Sequence, residues 1–535
     1  MLTAVLASGA FVRLIPLPVP LPLIQIALGI FISSVFQEGV ELNPEVFFLL
    51  FLPPLLFLDG WRIPKDALRR EWAGIVLLAF GLVFITVLGL GYVIHWMIPA
   101  MPLPVSFALA AIVSPTDAVA VAGIARKLNV PSRVLSLLEG EALFNDASGL
   151  VAFQAAVLAT VTGTFALSHA ASSFFWVAGA GLASGAVTAW AIVTVRDAFT
   201  HRFGEEPGSE VLLSLLTPFA AYFIAEWLAA SGILAAVAAG LVTGYAELFG
   251  RMNAATRMRR HNVWDMVQFT LNGIIFVLLG EQLPDVFQDA VEIIEQTGHH
   301  NPWWLAIYAF VICVVLALLR FVWIYSTMHT THKVRQTLSP DPRGHVRSLL
   351  ILSVGGVRGA ITLAGVLTLP LTLDSGEPFP ARELAILLAA TTIIVSLLVA
   401  SVGLPLLLRG MAAPADKLHL DQHALARRSA QDAASARLEE EILTLAPDSP
   451  DAAAAYARTV AHILANLDDA LGKLPSGGDA PASAEPTHDN ERRLQQLAVQ
   501  AAREAIFQLA RQHKISDELA REMALHLDMD ELRLY

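Results

Sequence analysis

The chain has 535 residues, 55% hydrophobic and only 15% charged, with a formal net charge of −12 and a mean hydropathy of +0.60. A soluble protein of this length needs a more charged surface, so the composition argues against one and for a membrane protein. Cys313, the single cysteine, lies in an apolar run, which excludes an intramolecular disulfide and a cysteine metal cluster.

The first residues, MLTAVLASGAFVRLIP, lack the basic start of a signal peptide and are followed by further apolar runs. They read as a membrane helix, short against the roughly 20 residues that a bilayer needs. Such a helix is either thin and tilted or has lost a few residues at its start. Hydropathy predicts about thirteen spans. They lie near 1–13, 20–36, 44–60, 71–97, 101–124, 132–162, 167–195, 209–229, 231–247, 262–283, 303–327, 346–371 and 384–408. The pair 209–229 and 231–247 is separated by very few residues. Trp61, Trp96, Trp303 and Trp304 fall at span ends, where interfacial anchors are expected.

Charge placement tests that map. Alternate loops carry Arg13; Arg62, Lys65, Arg69 and Arg70; Arg126, Lys127 and Arg133; Arg196 and Arg202; Arg251, Arg257, Arg259 and Arg260; and Lys333, Arg335, Arg343 and Arg347. The intervening loops hold only Arg382, and one, EQLPDVFQDAVEIIEQTGHHNP, is acidic. By the positive-inside rule the N-terminus is outside and the C-terminal tail cytoplasmic. The recurrence at every second loop also removes nucleic acid as a partner, because topology requires that pattern and nucleic acid does not.

Ionisable groups at bilayer depth are costly and mark transport paths or paired structural sites. Asp59 ends the third span, and Asp117 follows Ser114, Pro115 and Thr116 in IVSPTDAVAVAG. The sixth span holds Glu139, Glu141, Asn145 and Asp146 in LLEGEALFNDASGL; Arg320 lies in the eleventh and Arg358 in the twelfth. Glu226 and Asp265 fit helix caps. Pro115 predicts a helix break around Ser114–Asp117, and Gly355, Gly356 and Gly359 around Arg358 predict a second. Two interrupted spans in different halves of the chain point to an inverted-repeat transporter, although no repeat shows as sequence identity. On a helix, Glu141 and Asn145 share a face and Asp146 is turned about 100° away. One face can hold a Glu–Arg pair while Asp146 points into a cavity. A desolvated carboxylate there takes either a proton or a hard cation, which is the chemistry of exchange. No DDxxD or HExxH pattern supports an intramembrane enzyme, and no pore-loop filter supports a channel.

SPTDAVAV, EGEALFNDASGLV and GGVRGAITLAG, together with PPLLFLDGWRIP and SGILAAVAAGL, resemble the cation:proton antiporter-1 family, the NhaP-like bacterial Na⁺/H⁺ exchangers. The likeness spans residues 15–410, in the same order, and is closest to the long-tailed bacterial branch. It implies an all-α membrane fold of about thirteen transmembrane helices, with two broken crossing helices, and a homodimer in the inner (plasma) membrane. It implies secondary active exchange of a monovalent cation, Na⁺ foremost with K⁺ or mixed cations as the alternative, for H⁺, without a cofactor. Asp146 would bind the ion and the proton, with Asp117 and Thr116 beside it. Glu141 would pair with Arg358, and Asn145, in place of a second aspartate, would make exchange electroneutral. Asp59, Arg320 and Ser114 are accessory candidates. Ala142 stands where many relatives carry an ion-contacting Ser, and Asp59 is offset by one position from their acidic residue.

These readings divide the chain into a membrane domain, 1–410, and a helical tail, 411–535, with a linker near 474–490. In the tail, Ser449-Pro450-Asp451 reads as the start of a helix running to Lys473, and 490–513 and 516–533 as two amphipathic helices. A solvated helical appendage is the plainer role for it, and regulation the alternative.

Overall fold

A computed structural model of the chain describes residues 1–14, 20–36, 44–117, 132–163, 167–249, 252–296, 303–330, 342–373, 375–408, 417–445, 450–472 and 489–532. The basic residues Arg126, Lys127, Arg251, Lys333 and Arg335, the side chain of Glu139 and most of the linker fall outside them.

The membrane part consists of α1 (Leu2–Leu14), α2 (Leu21–Phe36), α3 (Pro44–Arg62), α4 (Lys65–Val76), a π-helical segment (Leu77–Leu82), α5 (Val83–Met97), α6 (Leu103–Val113), α7 (Ser132–Thr162) and α8 (Leu167–Phe203). It continues with α9 (Pro207–Trp227), α10 (Gly232–Glu247), α11 (Ala254–Gln296), α12 (Trp303–Thr330), α13 (Pro342–Val354), α14 (Ala360–Leu367) and α15 (Arg382–Leu408). Among the described residues seven stretches are long and apolar enough to cross a membrane alone, and α1, α2, α6 and α10 are shorter apolar helices. Over the described residues each expected span falls on one helix or on two separated by a break, except the fourth, which runs through α4, the π segment and α5; residues 118–124 of the fifth lie outside the described residues. The close pair α9 and α10 is divided by a tight turn in which Ala229 takes φ 52°. Ser231 then caps α10, its hydroxyl accepting from Leu234 N at 3.3 Å.

Two crossings reveal the repeat that sequence identity hides. The second span, α2, meets the tenth, α11, where a Cβ on Gly29 would lie 2.1 Å from the Val277 carbonyl oxygen and one on Gly280 2.0 Å from that of Ile26. The third, α3, meets the ninth, α10, in the same way, through Gly60 against Val237 and Gly240 against Phe57. Small residues let membrane helices approach to backbone contact. Exchanging each span with the one seven places on turns one crossing into the other. The same exchange sends the broken fifth span, α6, onto the broken twelfth, α13–α14.

Hydropathy missed the polar ends of helices. The acidic segment after Glu281, expected as a loop, continues α11 through Pro284 to Gln296, and α8 runs to Phe203. Such ends lie beyond the apolar run that a hydropathy window detects.

The tail holds α16 (Lys417–Leu445), α17 (Pro450–Gly472), α18 (Asp489–Arg511) and α19 (Asp517–Leu532). The last three match the expected helices; α16 was not expected. Its buried seam is Ala426, Ala430, Ala434 and Leu438, small residues at four-residue spacing that pack with Ala498, Ala502 and Ile506 of α18. Leu248, just after α10, joins this tail core. Arg257 of α11 clasps Asp528 through Nε and Nη2 at 2.6 and 2.7 Å, and Arg503 reaches the same carboxylate at 2.8 Å. Asp66 N donates to Asp517 Oδ2 at 3.1 Å and Asp517 N to Asp66 Oδ1 at 3.3 Å, so the first turns of α4 and α19 cap each other. The tail thus sits on the side of the bundle that carries Arg62, Lys65, Arg69 and Arg257.

Candidate ion-exchange site

The site is built where the two interrupted spans meet. α6 stops at Val113, two residues ahead of Pro115, which has no N–H to donate. α13 stops at Val354, ahead of Gly355 and Gly356. Across the gap Asp117 N donates to the Val357 carbonyl at 2.7 Å. A Cβ on Gly359 would lie 1.8 Å from Asp117 Oδ2, so only glycine admits that carboxyl group. Arg358 closes the other side. Its Nε donates to the Val113 carbonyl at 2.8 Å, satisfying the end of α6, while Nη1 donates to the Gly356 carbonyl. Its backbone N donates to Ser396 Oγ at 3.1 Å.

α7 packs against this junction, with Gly149 leaving room for the ring of Pro115. As the helical reading requires, Glu141 and Asn145 share a face. Asn145 Nδ2 donates to Thr116 Oγ1 at 3.0 Å and lies 3.4 Å from Glu141 Oε1. Asp146, 5% exposed, points elsewhere. The charged groups that act on it are two other carboxylates, Asp59 and Asp117. Among the described residues no hydrogen bond or salt bridge from a basic side chain reaches Asp146. The hydroxyl of Ser114, also buried, has no hydrogen-bond partner there either.

The pairing of Glu141 differs from the expectation. Its carboxylate is held by Arg320, Nη1 to Oε1 at 2.5 Å and Nη2 to Oε2 at 2.7 Å, with both side chains almost wholly buried. Arg320 Nε donates to the Leu352 carbonyl at 2.8 Å, which orients the guanidinium fork. Arg358 is occupied by backbone carbonyls instead. Arg320, an accessory candidate, therefore takes the role given to Arg358. Trp61 also differs: it is buried, donates to Glu247 Oε2 at 2.8 Å and lies under Arg260, whereas Trp96 and Trp303 are exposed. Glu226 caps α10 through Gly232 N at 3.2 Å, and Asp265 pairs with Arg62.

Residues 1–410 match the family model for the transmembrane sodium/hydrogen exchanger. The chain belongs to the sodium/hydrogen exchanger family. This is a family of transporters, not of enzymes. The chain is 44% identical over 414 residues to a sodium, potassium, lithium and rubidium/H⁺ antiporter of Bacillus pumilus, which covers 76% of this chain and 60% of the relative. It thus spans only about 60% of that relative's length. It is 36% identical over 531 residues to an uncharacterized Na⁺/H⁺ exchanger of Escherichia coli, covering 98% of this chain and 96% of the relative. The fold resembles the sodium proton antiporter MjNhaP1 of Methanocaldococcus jannaschii, with a TM-score of 0.59, 17% identity and coverage of 76% of this chain and 97% of that one.

In this member of the exchanger family two clefts touch α7, one along its C-terminal third and one at its middle. One, of about 610 Å³, lies on the side away from the tail, lined by Phe153, Val157, Tyr222, Glu226 and Thr368. The other, of about 510 Å³, lies toward the tail, lined by Arg69, Trp72, Phe144, Ser148 and Tyr245. Asp146 falls between Phe144 and Ser148 along α7, on a different face of the helix, and lines neither cleft. Among the described residues no three His, Cys, Asp or Glu side chains cluster as a metal cage. A cation at Asp146 therefore needs hydroxyl, carbonyl or water oxygens in addition. Sequence reasoning did not find Ser148, Ser396 or the carbonyls of Val113 and Val357. Their only signal was position, within a turn or two of the marked residues.

Proposed function

We infer that the chain is a secondary active antiporter exchanging a monovalent cation, Na⁺ foremost, for H⁺ at Asp146 by alternating access. The carrying observation is the charge arrangement at the broken helices. Glu141 and Arg320 neutralise each other and Arg358 is absorbed by carbonyls, whereas Asp146 is buried and, among the described residues, no basic side chain bonds to it. Such a group is neutralised by a proton in one half of the cycle and by a cation in the other. Binding one expels the other. Thr116, Asp117 and Ser114 are the candidates to offer further oxygens, and Asn145 braces Thr116 against Glu141. Asn145 bears no charge where the resemblance places a second aspartate in electrogenic relatives, which favours one-for-one, electroneutral exchange.

The working unit in this reading is the 1–410 domain, and the tail is an appendage anchored to it. Its membrane is the plasma membrane, with the N-terminus outside and the tail cytoplasmic, and the chain works as a homodimer. A broader cation range is the second reading, favoured by the antiport of sodium, potassium, lithium and rubidium named for the Bacillus pumilus relative. Everted vesicles test both. Addition of Na⁺, Li⁺ or K⁺ should collapse an imposed ΔpH in a saturable manner at zero membrane potential, with the order of the three fixing the range. Asp146→Asn should insert normally and lose the response; full exchange in that variant would remove Asp146 from the mechanism.

A further inference from the structure

Between α4 and α5 the fourth span passes through the π-helical segment Leu77–Leu82. π turns are rare, and they recur as bulges at functional sites. Side chains from two neighbouring helices hold this one. Ser148 Oγ of α7 donates to the Ala79 carbonyl at 2.7 Å and lies 3.1 Å from the Asn145 carbonyl, a shared bond. Trp323 Nε1 of α12 donates to the Leu77 carbonyl at 3.2 Å. Each donor rides on a helix that carries the site. Ser148 follows Asp146 by two residues and Trp323 follows Arg320 by three.

The packing around the segment leaves little freedom. A Cβ on Gly81 would lie 2.4 Å from the Trp323 ring, and one on Gly140 2.5 Å from Ile75 Cδ1. Ala79 is wholly buried and Ser148 nearly so. With the Glu141–Arg320 pair spanning α7 and α12, the three contacts close a triangle whose third side is the π segment. Ser148 also lines the tail-side cleft, so its bond lies where that cleft reaches α7.

The geometry points to Ser148 as a positioning residue that pins the Asn145–Asp146 turn of α7 to the π segment, while Trp323 pins the same segment to the helix of Arg320. The inference rests on the exchange reading above. Removing the hydroxyl frees the turn to shift against Thr116 and Asp117, which loosens the cation site before it loosens the fold.

The test uses the full chain in everted vesicles, with Na⁺ as the probe. Wild type and Asp146→Asn are run first to establish exchange at Asp146. Ser148→Ala should then raise the apparent KM for Na⁺ about three- to tenfold, the range set by one hydrogen bond. Its kcat should stay within about twofold, and the acid limb of its pH profile should shift. Ser148→Thr, which restores a hydroxyl able to bond, should return both toward wild type, and Trp323→Phe should move KM in the same direction as Ser148→Ala. Thr243→Val serves as the control: it removes a buried hydroxyl bonded only within its own helix, to the Ala239 carbonyl at 2.8 Å, and should change neither. Wild-type KM and pH profile in Ser148→Ala would overturn the inference, as would a fall in kcat alone or a Thr variant as impaired as Ala. If Ser148→Ala fails to insert, Ser148→Thr and Trp323→Phe decide by the same criteria. Full exchange in Asp146→Asn would sink the exchange reading itself, and this inference with it.

Discussion

Replacing Arg320 by Met leaves the Glu141 carboxylate buried without the two bonds at 2.5 and 2.7 Å that now hold it. Both partners are nearly inaccessible to water, at 2% and 0% side-chain exposure, so solvent cannot substitute for the lost guanidinium. Breaking such a pair from one side costs about 3–5 kcal/mol, mainly because an uncompensated charge stays buried. Glu141→Gln should cost a similar amount for the mirror reason. The double variant Glu141→Gln/Arg320→Met has no orphaned charge and should lie well below the sum, giving a coupling of about 2 kcal/mol or more. The corresponding cycle with Arg358→Met should show a smaller coupling, because Arg358 is bonded to the carbonyls of Val113 and Gly356 rather than to Glu141. Unfolding in mixed detergent micelles, followed by tryptophan fluorescence, supplies all the free energies in one assay. A coupling of Glu141 to Arg358 equal to or above that to Arg320 would refute this assignment and restore the pairing that the family resemblance implied.

Gly359→Ala forces a methyl into the Asp117 carboxyl group, and should lower exchange at least about tenfold while costing about 1–3 kcal/mol of stability. An unaltered Na⁺ response in vesicles would mean that Asp117 is not used where it now stands. Asp528→Asn keeps the shape of the tail clasp but leaves Arg257 a buried cation without its carboxylate, while Arg503 keeps Glu531, so protease should release the 417–532 bundle faster than from wild type. A pH effect on docking follows from Asp517, where burial and then the facing Asp66 carboxylate push the carboxyl above its usual range. Lys65 and Asp66 of α4, Tyr245 of α10 and Arg521 of α19 face it. Because docking raises this pKa, the charged form opposes docking. The contact is therefore strongest below the ordinary carboxylate range and weakens as pH rises through the raised value. Hydrogen exchange at the start of α19 should show that slope, and Asp517→Asn should flatten it.

What could be read from the sequence was local backbone chemistry. Pro115 and the glycines at 355, 356 and 359 act on their own turn, so both breaks were legible without knowing what they faced. Asp146 was legible for a related reason: nothing basic lies near it along the chain, and burial follows from the apolar run around it. Partners chosen across the fold were not legible. Glu141 and Arg320 are 179 positions apart, and two arginines in different spans were equally available to it. What decides between them is the Leu352 carbonyl aiming one fork and the freed end of α6 capturing the other, neither of which leaves a mark in the sequence. The tail shows the same divide. α17 announces itself by a Ser-Pro-Asp start, whereas α16 packs through an alanine seam that hydropathy scores as featureless. The union of Arg257 with Asp528 spans 271 positions, and it becomes visible only once the chain has folded. Charge identity is thus written locally in this protein, but charge pairing is settled by where broken helices leave their free carbonyls. A conservative change at Leu352 or Val113 that displaced those carbonyls would therefore be expected to disturb the ion pair without altering any charged residue.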